Sequence, residues 1–534
     1  MKKQTLHIFF VLLSWMSFAQ KDTVHAPIEI IHADNMILHE AYPDLKLLTG
    51  HVQLKHKDAI LISDKVLLDL KKNFAEAIGN VLLNQGDTLS LRADVVRYDG
   101  NLEFALALGN VFLKDPTMQL NTDTLYYDKS KKLAYYEAGG KIRDTVNIIE
   151  SKIGKYYTDK NKYEFIGQVK IINPDYTIFS AHLDYQTDVQ TSRFYGPTEI
   201  RSNGDLIYAE KGFYDSHNQT GWFKENAYME DEKGRWMAGD SIHFTQKDSV
   251  YSASGNVRMV DSIRKVTVWA GFARQWKKKD SVELHQDPVV INYDVKDTVL
   301  FNAQNIYLKQ IDTFRIVYAF PQVRFYSGEM SGKADSLYRN EKKQWIELYK
   351  NPVLWNEDSQ ITGDTILIKT VENNRADSLI IPSNVFIAQK DSSGFNQIKG
   401  RKLKGKFVDG KLRIINITGN AQTIYFIRDD DGKLVGIDQS VCSEIKIELN
   451  EKGEVEKIYL LEKPEGTTYP PSQYPPDKRK LKGFLWRGDE QIKSKEEILK
   501  GRAIIPQKPG RKKIITEEKQ IEPPKIPMRL IKGL

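Results

Sequence analysis

The chain has 534 residues, 28% of them charged, and a formal net charge of +7; this is beyond the length at which one compact core keeps growing, so several domains or a linear repeat are expected. Its single cysteine, Cys442, excludes an intrachain disulfide and any thiolate metal cage built from one chain. The charge is uneven: from Pro464 to Leu534 there are 17 Lys and Arg against 9 Asp and Glu, or +8, leaving about −1 for the rest.

In chain order, the first element is residues 1–20. Lys2 and Lys3 precede an apolar run from Ile8 to Met16 and a small-x-small site at Ser17-Phe18-Ala19, the layout of an export signal cleaved near Ala19. The run is shorter than the ~20 residues that span a bilayer, so a soluble chain outside the cytoplasm is expected.

Residues 21–260 repeat themselves. Gly50-His51-Val52, Gly79-Asn80-Val81, Gly109-Asn110-Val111, Gly139-Gly140-Lys141, Gly167-Gln168-Val169, Gly196-Pro197-Thr198, a degenerate Glu225-Asn226-Ala227 and Gly255-Asn256-Val257 follow one another at intervals of 28 to 30 residues. A fixed period of that size marks a stacked architecture. Each unit carries two strand-like runs. One follows the Gly-Asn pair and turns its first and third residues inward, giving Val81 and Leu83, Val111 and Leu113, Val169 and Ile171, Val257 and Met259. The other begins at an Asp and turns inward the residues two and four places on, giving Val66 and Leu68, Val96 and Tyr98, Leu125 and Tyr127, Ile242 and Phe244, because such offsets share one face of a strand. Turn formers such as Asn173-Pro174-Asp175 and Asn203-Gly204-Asp205 separate the runs.

Residues 261–463 continue the pattern in blurred form, with Asp287-Pro288-Val289, Pro321-Gln322-Val323, Asn351-Pro352-Val353, Ser383-Asn384-Val385 and Gly419-Asn420-Ala421 at the repeat positions. The tail, 464–534, holds 10 of the chain's 19 prolines, a composition that suggests polyproline or partial disorder. Within it Gly483-Phe484-Leu485-Trp486 and a helical stretch from Ser494 to Leu499 are suited to docking or capping. Its basic charge suits anionic lipid or phosphorylated glycolipid; the export signal sets nucleic acid aside.

The pattern predicts an all-β stack of ~30-residue repeats. A closed parallel β-helix and an antiparallel stack lining an open V-shaped trough both fit, and the short hairpin-type turns favour the second. The sixteen inward residues above are the expected trough lining; core residues would follow the same pattern.

The Gly-Asn-Val strands at 79–81, 109–111 and 255–257, with Ala93-Asp94 to Tyr98-Asp99 and Thr122-Asp123 to Tyr127-Asp128, resemble the OstA-like family of periplasmic lipopolysaccharide-transport proteins. The resemblance implies an elongated β-jelly-roll or β-taco whose apolar interior shelters lipid A acyl chains. It also implies a periplasmic location and edge-to-edge strand addition to an inner-membrane-anchored partner, an outer-membrane barrel or further copies of the chain. This chain departs from short family members in its many repeats and its tail.

Enzymatic signals are lacking: there is no His-Glu-x-x-His, no Gly-x-Ser-x-Gly and no phosphate-cradling glycine loop. The recurring Asp94, Asp123, Asp240, Asp335 and Asp364 stand one per repeat, so they are expected to form a row of turn carboxylates that accept backbone N–H groups. The reading calls for no cofactor or metal. Its alternative is a secreted β-helix that binds or cleaves polysaccharide.

Overall fold

The computed structural model describes residues 27–514 except 41, 87, 88, 117, 294–297, 329, 372–374 and 452; the expected export signal, 1–20, and the end of the tail, 515–534, lie outside the described residues. Almost all regular structure is strand, and no helix among the described residues is long and apolar enough to cross a membrane. The described residues divide into two compact units, one of 27–148 and 152–159, the other of 149–151 and 160–514.

In the first unit the strands Tyr42–His56, Ala59–Asp69, Phe74–Gln85, Leu89–Asp99, Phe104–Lys114 and Gln119–Asp128 pair in succession, each antiparallel to the last. This is the hairpin stack that short turns demand, and it overturns the parallel β-helix. The Gly-Asn pairs lie inside these strands as bulges: Ile78 pairs with Val95 and Val81 with Ala93, so Gly79 and Asn80 together face Asp94. Both have positive φ, 83° and 44°.

The recurring Asp and the recurring Gly-Asn are two halves of one device. Asn80 donates its side-chain amide to Asp64 at 2.9 Å, and Asn110 donates to Asp94 at 2.9 Å. The second unit repeats the bond at Asn256 to Asp240, 3.0 Å, and Asn384 to Asp364, 2.7 Å. His51 with Asp34, 2.9 Å, and Asn226 with Glu210, 2.7 Å, are variants. The expectation that these Asp accept backbone N–H at turns is therefore corrected for Asp94, which lies within a strand, and for Asp240 and Asp364, which stand just before one: each accepts from an Asn side-chain amide, while Asp335 accepts from the Ser336 hydroxyl. The glycine is required twice, by its φ and by space, since a Cβ at Gly79 would lie 2.6 Å from a carboxylate oxygen of Asp64. A bulge bends its strand. With one on every second long strand, at Gly50-His51, Gly79-Asn80 and Gly109-Asn110, the bends align and fold the sheet into two faces.

Between those faces lie rows of directly opposed side chains. Leu48, Val66, Ala77, Val96, Ala107 and Leu125 cross six strands and none is more than 4% exposed. Small residues on the Gly-Asn strands alternate with larger ones on the Asp strands, which lets neighbouring side chains interdigitate.

In the second unit the strands from Ser281 to Val408 break at the corner into two arms, and the arms build two walls. Ser281–His285, Asn305–Ile311, Phe314–Phe320, Ser336–Asn340, Trp345–Tyr349 and Thr365–Thr370 pair in that order in the first wall. Val289–Tyr293, Thr298–Asn302, Val323–Ser327, Met330–Ala334, Val353–Asn356 and Ser359–Thr362 do so in the second. Val266–Trp276 and Lys411–Arg428 run through both walls and tie them together. The corners carry the blurred repeat copies, with positive φ at Asp287, Gln322, Asn351 and Asn384.

The tail, within the described residues, is packed along the outside of the second wall. Glu465–Tyr469 adds as a strand to Leu434–Leu449. Tyr474, Leu481, Phe484 and Trp486 then cover Phe386, Ala388, Ile424 and Phe426. Further on, Ile492, Ile498, Leu499 and Ile504 cover Val289, Ile291 and Leu300; the expected helix is Glu496–Leu499. Gln360 and Gln397, both nearly inaccessible to water, bond the backbone of the strap at Leu485, Arg487, Arg479 and Leu481. The strap's cations meet carboxylates of the same unit: Lys500 and Arg502 at Asp287, Lys508 and Arg511 at Glu230, and Lys512 at Glu210. Between residues 465 and 512, apolar side chains between the prolines lie on an apolar outer face, and the cations meet the body's acids.

One strap contact titrates in a useful range. Arg487 and Lys333 donate to Glu490 at 2.9 and 2.7 Å and hold its carboxyl down to about 2. A carboxylate with a depressed folded pKa stabilises the folded state above its unfolded pKa of 4.5, and that contribution is lost as pH falls toward 2. Hydrogen exchange is therefore expected to show residues 484–491 loosening below about pH 4.5, ahead of the walls, with Glu490→Gln loosening them already at neutral pH. Equal protection in the variant would remove this contact from the account.

Candidate functional site

Between the two walls of the second unit lies a cavity of 2340 Å³, more than twice the upper end of the roughly 300–1,000 Å³ usual for small-ligand sites. Its lining follows the period of two that places alternate residues on one face of a strand. Val282, Leu284, Ile306, Leu308, Ile346 and Leu348 face it from the first wall, and Val290, Val299, Phe301, Phe325, Leu354 and Ile361 from the second. Outward neighbours on the second wall, Val289, Ile291 and Leu300, are the residues beneath the strap. Both faces of that wall are thus apolar, one turned to the cavity and one covered. The thioethers of Met229, Met237 and Met259 join the lining at its low-numbered end, where flexible side chains adapt to irregular contents. At the other end Ile447, Leu449, Val455 and Ile458 contribute from the last hairpin.

Charge gathers at the ends of the arms that lie away from the corners, with Lys493 of the strap also in the lining. Asp261 and Arg264 sit on the hairpin before Val266–Trp276, and Lys277 and Asp280 on the hairpin after it. Arg264 reaches Asp280 at 3.8 Å and Asp261 at 3.2 Å, while Arg315 donates to Asp280 at 3.0 Å. The free ends of the two walls touch there through an ion-pair cluster. Exposed pairs of this kind contribute only about 0–1 kcal/mol each, so the contact is weak.

Of the sixteen expected lining residues, Met259 lines this cavity. Val66, Leu68, Val81, Val96, Val111, Leu113, Leu125, Val169, Ile171, Ile242 and Val257 are buried, none more than 7% exposed. Leu83, Tyr98, Tyr127 and Phe244 are half-buried; the Tyr98 hydroxyl meets His56 Nδ1 at 2.8 Å, and Phe244 stacks between Phe223 and Tyr251. Eleven of the sixteen are thus buried, yet the open space lies mainly in the blurred repeats after residue 260. The alternation in Val282-Glu283-Leu284 and Val299-Leu300-Phe301 was the available signal. The Gly-Asn-Val pattern drew attention elsewhere.

Outside the cavity lining, ligand atoms of Glu164, His182 and Asp184 lie within 4.8 Å of one another. Lys162 already donates to Asp184 at 3.0 Å, so a local ion-pair network accounts for the group.

The architecture is a repetitive antiparallel β stack, and two of its stretches match known families. Residues 25–181 match the family model of OstA-like proteins, and residues 277–374 match that of the LptA and LptD N-terminal lipopolysaccharide transport proteins. Over these two stretches the chain is similar to OstA-like and lipopolysaccharide transport proteins. It is 29% identical over 154 residues to the lipopolysaccharide export system protein LptA of Haemophilus influenzae, a match covering 27% of this chain and 88% of the relative. The families matched are of transport proteins, in keeping with the lack of enzyme motifs.

Proposed function

We propose that this protein carries the acyl chains of lipopolysaccharide through the periplasm in the cavity between its two walls, as part of a bridge toward the outer membrane. The carrying observation is the cavity itself, with apolar side chains facing it from both walls and most of its charge along the free ends. Each methylene exposed to water costs about 0.8 kcal/mol, so a continuous apolar slot removes most of the barrier to moving a lipid between membranes. Similar rungs in series give similar sites, and net movement then needs a push from elsewhere. Export through residues 1–20 and strand addition to inner-membrane-anchored and outer-membrane partners, or to further copies, complete the reading. Of the sixteen lining positions, Met259 and the four half-buried residues are nearest to accepting hydrocarbon; the eleven buried ones require the faces to part.

A photo-crosslinking residue at Phe301 or Ile346 is expected to yield lipopolysaccharide adducts in cells at several times the level at Tyr318, whose side chain is outward and 42% exposed. Equal yields inside and outside would count against the trough.

A further inference from the structure

We propose that Arg264, Arg315 and Arg339 form an anion clamp at the free edge of the cavity, taking the phosphate headgroup of an amphiphile whose hydrocarbon lies within, and that Asp280 holds the place of that headgroup in the unliganded protein. The proposal rests on the trough reading and names the ligand class of the same site. Arg339 pairs in register with Val317 across adjacent strands, which puts Arg315 and Arg339 on one face, and both line the cavity. Their side chains are only 17% and 27% exposed.

Burial holds the Arg339 guanidinium below the usual arginine range, Glu341 at 3.7 Å works against this, and the neighbouring Arg315 lowers it further. Two guanidiniums side by side next to hydrocarbon favour an oxyanion between them, because a planar fork binds phosphate through paired hydrogen bonds. At present one carboxylate, Asp280, serves both Arg315, at 3.0 Å, and Arg264, at 3.8 Å. Arg264 and Asp280 come from the free ends of different walls. A ligand phosphate that displaced Asp280 would therefore exchange the contact that closes the edge for one that holds the headgroup, with the acyl chain directed inward along Val317 and Leu337.

Calorimetric titration of the full chain with dodecyl phosphate, dodecyl maltoside and inorganic phosphate tests this. Dodecyl phosphate is expected to bind about tenfold more tightly than dodecyl maltoside, in line with charge-assisted pairing, and inorganic phosphate far more weakly than either. The double variant Arg315→Gln, Arg339→Gln is expected to bind both amphiphiles equally. Asp280→Asn, which removes the internal competitor, is expected to tighten dodecyl phosphate several-fold more than dodecyl maltoside, a selectivity that misfolding cannot imitate. Equal binding of both amphiphiles by the wild-type chain, or a preference that survives the double variant, overturns the clamp and leaves the trough standing. Binding of neither amphiphile removes both. Inorganic phosphate binding as tightly as dodecyl phosphate marks a free-oxyanion site and overturns the headgroup assignment.

Discussion

Replacing Gly109 with alanine is expected to destabilise the first unit by about 3 kcal/mol, through a positive φ denied to most side chains and a lost hydrogen bond. Gly109 has φ 73°, and a Cβ there would lie 2.3 Å from Asp94 Oδ2 and 3.0 Å from the Asp94 Cβ. The carboxylate must move, and its bond to the Asn110 amide goes with it. Gly86 is the control: its φ is 58° but nothing lies within 4 Å of the added Cβ, so Gly86→Ala should cost only about 1 kcal/mol. Urea unfolding of the two variants separates the steric part from the backbone part. A second arm is sharper. If the clash is with Asp94, then Asp94→Ala combined with Gly109→Ala should cost less than the sum of the single changes, since the first removes what the second strikes. Additive costs would show that the Asp and the Gly are not one device.

The second large effect concerns the strap. Phe484 packs against Phe386 and Phe395 with ring centroids 6.1 and 5.1 Å apart, and Trp486 against Phe395 at 5.1 Å. Fully buried aromatics cost about 3–5 kcal/mol on truncation to alanine; these are partly buried, so about 2 kcal/mol each is expected. The double variant Phe484→Ala, Trp486→Ala should therefore release the strap from the upper part of the second wall. Hydrogen exchange and proteolysis within residues 480–495 are expected to rise by orders of magnitude, and an apolar dye to bind the uncovered Phe386 and Ile424. Leu485→Ala is the control, since Leu485 is 64% exposed, and it should change little. Unaltered protection in the double variant would show that the backbone bonds at Gln360 and Gln397, rather than the aromatic packing, hold the strap.

These expectations show what could be read from the residues. The class of fold was legible, because a period of two is a local property of the strand and the repeat restates it at every turn. So was the importance of the Gly-Asn pairs and the Asp, though not their bond to each other. Asn80 and Asp64 are 16 residues apart, and only strand register brings them together. The lining was harder to place. Val66 and Phe301 obey the same alternation, yet one is fully buried and the other lines the cavity, because the width of the gap between two faces depends on how far the corners bend and on the size of the residues opposed across it.

By itself, then, the sequence determined a repeating antiparallel β architecture and the family resemblance it carries. Tertiary structure alone decided where the two faces stand apart enough to leave a cavity, and that residues 465–512 of the proline-rich basic tail lie against an apolar wall and its acids. Both depend on surfaces formed by residues far apart in the chain, whose complementarity no local pattern encodes.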